Sequence, residues 1–170
     1  MADALERGAV DVARQLAAEP DVAALHVERL PAAQVSVDDV LAADGFLFCA
    51  PENLASLSGE MKEFFDRCYY GAFVTAEAAT DSGGDYTETS LLLGRPVGVA
   101  ISAGSDGSSA ARQVERICQG WRLRPVAETI IHRNGLSQTK ANILAPKDCP
   151  EDVTARCEEL GGLVAATLLL

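Results

Sequence analysis

Aromatic side chains are scarce in this chain, at 5% of 170 residues. With hydrophobic residues at 48%, a core has to rest on Ala, Val and Leu, which suits packed helix and sheet layers better than an aromatic-rich sandwich. Histidine is rarer still. His26 and His132 stand far apart in stretches that read as strands, so neither a zinc cluster nor a catalytic triad assembles from them. The cysteines (Cys49, Cys68, Cys118, Cys149 and Cys157) include no CxxC pair. Their odd number and scatter do not describe a disulfide framework, and they read as small buried hydrophobes in a reducing cytosol. Basic residues are also in deficit, with 14 Lys and Arg against 25 Asp and Glu and a net charge of −11. No Lys/Arg-rich window exists, which argues against nucleic acid as a partner. Long apolar runs are missing too. Gly161 to Leu170 is about half a membrane span, and Asp3, Glu6 and Arg7 interrupt the place where a secretory signal would lie. The expectation is a soluble cytoplasmic protein. G-x-S-x-G, a Walker loop and a complete GxGxxG are absent.

What is present is an alternation of helical and strand-like periods over a length that suits one domain, residues 1–170. Leu5, Ala9, Val12 and Leu16 predict a helix over 3–18, closed by Pro20. Residues 23–30 alternate and predict a strand near one sheet edge. Ser36-Val37-Asp38-Asp39 opens a short helix that delivers a buried strand over 46–50. The stripe Met61, Phe64, Phe65, Cys68 and Tyr69 predicts a helix over 58–70. Residues 71–93 are the least regular, and Thr80-Asp81-Ser82-Gly83-Gly84-Asp85 reads as a loop running over the active edge. A strand over 97–102, a helix over 108–121 and a strand over 126–132 follow. The last helix starts near Cys149-Pro150-Glu151-Asp152, with Pro and acids suited to its first turn. Trp121 reads as core. Strands alternating with helices imply right-handed crossovers and a three-layer, doubly wound parallel α/β sheet.

In such a sheet ligands bind where strands end at their carboxyl side. Two loops qualify. After strand 46–50 comes Pro51-Glu52-Asn53-Leu54, where Pro51 makes a sharp exit. After strand 97–102 comes Ala103-Gly104-Ser105-Asp106-Gly107, whose glycines permit close backbone approach and whose N–H groups suit a small anion nest. Taken alone, Asp106 or Ser108 reads first as a plain N-cap of the next helix, and the pair of loops together makes the case for a ligand site.

Ala-Pro-Glu-Asn-Leu at 50–54, Ser58-Gly59 and Lys62 to Arg67, together with Ser102 to Gly107 and Ala145-Pro146-Lys147, resemble the flavodoxin-like family that includes NAD(P)H-dependent FMN reductases. The resemblance covers nearly the whole chain. It implies a five-stranded parallel sheet of order 2-1-3-4-5 with FMN across the strand ends. Pro51, Glu52, Asn53 and Leu54 would border the flavin ring and ribityl chain, and Ala103, Gly104, Asp106 and Gly107 the ring from the second loop. NAD(P)H would be the co-substrate and a quinone or similar small molecule the acceptor. No acid–base side chain is required, and no catalytic residue or metal ligand is assigned. Family members also have a first central strand and a Ser/Thr/Gly-rich phosphate loop before the first helix, and this chain opens inside that helix. Three expectations follow for the gap: a start upstream of Met1, filling by Thr87 to Leu93, or completion by a partner chain. Association into a homo-oligomer is expected from exposed sheet edges. An electron carrier and an interaction module without FMN are the alternative functions.

Overall fold

The computed structural model describes residues 1–76, 87–137 and 139–170. Helix α1 (Ala2–Leu16) is followed by a stretch without helix or strand, a 3-10 turn (Ala32–Gln34) and α2 (Val37–Ala42). Next come β1 (Phe46–Asn53), β2 (Ser56–Leu57), α3 (Gly59–Cys68), a second 3-10 turn (Tyr70–Ala72), β3 (Phe73–Ala76) and β4 (Thr87–Ser90). The chain continues through β5 (Pro96–Ala103), α4 (Ser108–Gly120), β6 (Arg124–Pro125), β7 (Ile130–Arg133), α5 (Lys140–Leu144) and α6 (Glu151–Leu169).

The centre is a parallel ladder between β1 and β5, running from Phe46 opposite Val97 to Pro51 opposite Ser102. On the far side of β5, β7 pairs in parallel from Ala100 opposite Ile130 to Ala103 opposite Arg133. Short β6 lies on that same side, at the start of β5. The period-2 alternation divides these strands between two cores. Phe46, Phe48, Ala50, Val97, Val99 and Ile101 face α3 and α4, while Ala100 and Ile130 join Leu5, Val153, Cys157 and Leu160 beneath α1 and α6. Helices therefore cover both faces, giving the three-layer α/β arrangement.

The few aromatics are concentrated on one face. Phe46, Phe48, Phe64 and Phe65 surround Trp121, with Tyr69 stacked on its indole at 6.0 Å. Trp121 is 0% exposed, and its Nε1–H donates to the Tyr69 carbonyl at 3.0 Å. A buried indole needs such a partner. Burial of each Phe side chain contributes about 1.5–3 kcal/mol, so this cluster anchors α3 and α4 to the sheet. Arg95 donates to the carbonyls of Leu41 and Ala43 at the end of α2, where a cation also complements the helix dipole.

Helices and parallel strands fall close to where periodicity puts them, with several corrections. Residues 23–30 are not a strand. Leu25 and Val27 alternate in burial as expected, but no described strand runs beside them, and a ladder needs two members. The sheet order 2-1-3-4-5 is therefore not formed, and the observed order is β2-β1-β5 with β6 and β7 on the outer side of β5. Thr87 to Ser90 does not enter the sheet, because β4 pairs antiparallel with β3 in a separate hairpin. Strand 126–132 shortens to Ile130–Arg133, and α5 was not foreseen. The expected loop at 80–85 lies outside the described residues.

The second core depends on small residues. A Cβ at Gly8 would lie 1.8 Å from the Glu158 carbonyl oxygen, and one at Gly161 would lie 2.0 Å from that of Leu5. Helices α1 and α6 touch backbone to backbone there. Gly161→Ala must push them apart, so urea denaturation should show a loss of at least about 2 kcal/mol; an unchanged midpoint would contradict this contact. Burial pushes the Cys118 thiol up to about 12 and that of Cys49 to about 11, from an ordinary 9.0. The stability these neutral thiols supply is complete below 9.0 and is lost as pH climbs toward those higher values. Both should resist alkylation in the native protein below pH 9.0 and react once it is unfolded, and rapid native labelling of Cys118 would contradict its burial.

Candidate functional site

Pairing Pro51 with Ser102 makes the loops after β1 and β5 leave the sheet as neighbours at its carboxyl end. One side chain joins them. The Gly107 N–H donates to Glu52 Oε2 at 3.0 Å, so a carboxylate from the first loop sits on the opening turn of α4. Gly107 is the N-cap of α4 at φ 76 and, being glycine, offers no side-chain cap of its own. The expected anion nest is thus filled from within the chain. Glu52 Oε1 is buried and has no partner among the described residues.

The first loop continues into a hairpin that the sequence did not announce. Asn53 pairs with Ser56, and the intervening Leu54 and Ala55 take φ 52 and 58. Two consecutive left-handed residues make a two-residue turn that favours Asn-Gly. Leu-Ala carries strain of about 1–2 kcal/mol per residue there, and Leu54 is fully exposed at 101%. Helix α4 holds the hairpin in place, with Gln113 Oε1 accepting from both the Leu57 N–H and the Ser56 hydroxyl at 3.2 Å.

The second loop is packed by its neighbours. A Cβ on Gly107 would meet Ile131 Cγ2 at 2.5 Å and Ala103 Cβ at 3.0 Å, so glycine is required by space as well as by φ. Ala103 and Gly104 carbonyls accept from the N–H groups of Asn134 and Gly135. Arg133 Nε donates to the Asp106 carbonyl at 2.6 Å. The Ser108 hydroxyl donates to the Asp106 carboxylate and holds its pKa below the ordinary value.

All eight expected residues therefore gather at one edge, with distinct exposures. Pro51, Asn53, Leu54 and Asp106 face outward, Glu52 and Gly104 are partly covered, and Ala103 and Gly107 are buried. Gln113 and Arg133 also support the edge. Nothing in local periodicity points from α4 or β7 to a turn far away in sequence.

Exposed loop backbone and a small-residue turn line this edge, and the α4 N–H at Gly107 is already engaged by Glu52. Helix α1 opens with Asp3, whose carboxylate is ion-paired with Arg29. Surface cavities among the described residues lie elsewhere. One of 380 Å³ is bordered by Val97, Val99, Cys118 and Leu123, and one of 500 Å³ by Tyr69, Arg116 and Arg122. Among the described residues no group of acids, histidines and cysteines is placed to hold a metal ion, and no helix is long and apolar enough to cross a membrane.

The family model for NADPH-dependent FMN reductase matches residues 6–134. No curated protein is similar to this chain in sequence. Among solved structures, a flavodoxin from the domain Archaea superposes with a TM-score of 0.62 at 11% identity, covering 98% of this chain and 89% of that one. The two-electron reduced flavodoxin of Megasphaera elsdenii gives 0.57 at 16% identity, covering 96% and 90%. The metal-soaked Flv1 flavodiiron core from Synechocystis sp. gives 0.60 at 15% identity over 97% of this chain, which spans 31% of that chain's length. At these identities the likeness is one of fold.

Glu52→Ala should leave the first turn of α4 unsatisfied and cost about 1–3 kcal/mol in urea denaturation. Amide exchange at Gly107 should accelerate with it. Unaltered exchange there would show that Glu52 does not hold the loops together.

Proposed function

Because the chain belongs to the NADPH-dependent FMN reductase family, we propose that it is an FMN-binding oxidoreductase that takes electrons from NAD(P)H and delivers them to a small acceptor such as a quinone or free flavin. The observation that carries this reading is the Glu52–Gly107 bond, which fixes two ligand-type loops side by side at the carboxyl end of adjacent parallel strands. When bound, FMN supplies hydride acceptance and return of the electron pair. The chain's part is to hold the ring. Pro51, Asn53 and Leu54 would border it from the first loop, and Ala103, Gly104, Asp106 and Gly107 from the second, with Glu52 holding those loops in register. No side chain here is assigned an acid–base role.

An electron carrier is the second reading, favoured by the net charge of −11, which suits docking to basic partners. Turnover separates the two. The protein loaded with FMN should oxidise NADPH only when a quinone is supplied, at a rate proportional to protein. A yellow protein that holds FMN without turning over would select the carrier, and a colourless protein would contradict both readings.

A further inference from the structure

Helix α4 begins at the candidate flavin edge, where Gly107 is its N-cap, and its 13 residues carry the chain about 20 Å away. At that far end a cavity of 500 Å³ opens between the ends of α3 and α4 and the start of β3. It is bordered by Tyr69, Phe73, Arg116, Gln119, Gly120 and Arg122. The border holds two arginines and no carboxylate, in a chain with 25 acids against 14 bases. Arg7, Arg14, Arg29 and Arg67 pair with acids, whereas no acid among the described residues pairs with Arg116 or Arg122.

The exit of α4 is built around this cavity. The Leu123 N–H donates to the Cys118 carbonyl at 3.0 Å and the Arg122 N–H to that of Gln119 at 3.1 Å, which closes the helix in a left-handed cap. These bonds occupy carbonyls that would otherwise repel an anion at the helix end. Arg122 takes the left-handed position at φ 60, where such a cap favours glycine. The glycine stands two residues earlier. A Cβ at Gly120 would lie 2.1 Å from the Tyr69 hydroxyl oxygen, so Gly120 makes room for the phenol. Tyr69 in turn lies 5.3 Å from Phe73, ring centre to ring centre. A cation near a helix C-terminus complements the dipole, which accounts for Arg116 by itself. It does not account for arginine in the glycine position of the cap, nor for two aromatic rings beside it.

We propose that this cavity binds a nucleoside monophosphate, with Arg116 and Arg122 on the phosphate and Tyr69 and Phe73 against the base. Guanidinium forks match phosphate oxygens in pairs, and a planar base gains by stacking on an aromatic side chain. Both halves of the ligand are needed, because a bare anion leaves the rings unused and a neutral base leaves two cations unpaired. The cavity and the flavin-type loops stand at opposite ends of α4. This inference is therefore independent of the proposed flavin chemistry.

The test is an amide-resolved NMR titration of the full chain with AMP, set against adenosine and inorganic phosphate as partial ligands. The expected result is saturable shifts at Tyr69, Phe73, Gln119 and Arg122, with each partial ligand weaker by about tenfold or more. Arg122→Gly puts glycine at the left-handed position, so it should weaken AMP by about tenfold without lowering the thermal midpoint. Arg116→Gln, a change at an exposed position, should weaken AMP to a similar degree. No saturation approached at about 1 mM AMP, or undiminished binding by both variants, would overturn the proposal. So would shifts confined to Asn53, Leu54 and Gly104, or a partial ligand that binds as tightly as AMP, which for inorganic phosphate would mean an adventitious ion only.

Discussion

The parallel ladder between β1 and β5 is the contact on which the rest of the molecule depends. Its alternating side chains supply both cores: an aromatic one under α3 and α4, and a small-residue one under α1 and α6. Its register also sets the candidate site. With Pro51 opposite Ser102, the two chains turn away from the sheet at the same height, close enough for Glu52 to reach the Gly107 N–H. Moving either strand by one residue would exchange its core-facing sets and separate that pair. Fold and site thus share one determinant.

The two cores solve different packing problems. On the aromatic face, large rings meet from β1, α3 and the end of α4, and Trp121 is held by a carbonyl from the end of α3. On the other face the helices approach until backbone meets backbone, which a chain poor in aromatics achieves with Gly8, Gly161 and Gly162. The acidic surface contributes little to either core. Its ion pairs, such as Arg7–Glu158 and Lys62–Asp66, are solvent-exposed and each contributes about 0–1 kcal/mol.

Much of this was legible because it depends on local period. The stripe from Met61 to Tyr69, the apolar run Phe46 to Ala50, and the small-residue turn after Ser102 each announce an element and its direction. The family resemblance rests on those same residues. What was not legible needs partners. Residues 23–30 have the alternation of a strand, but a strand is defined by a neighbour, and none stands there among the described residues. The turn at Leu54 and Ala55 lacks the Asn-Gly signal because its conformation is imposed by Gln113 from α4. At the head of α4, Glu52 reaches the Gly107 N–H from another loop, a contact that no neighbouring residue announces. Tertiary contacts override local chemistry at these points, and all but the first border the candidate site, where local rules are expected to yield.

The central claim is that the loops after β1 and β5 form one wall of a flavin site. Amide-resolved NMR of the full chain during FMN titration tests this most directly. The account predicts saturable shifts largest at Asn53, Leu54, Gly104, Asp106 and Gly107, with small changes in α1 and α6. Shifts confined to the cavity beside Val99 and Cys118, or no shifts at all, would contradict it.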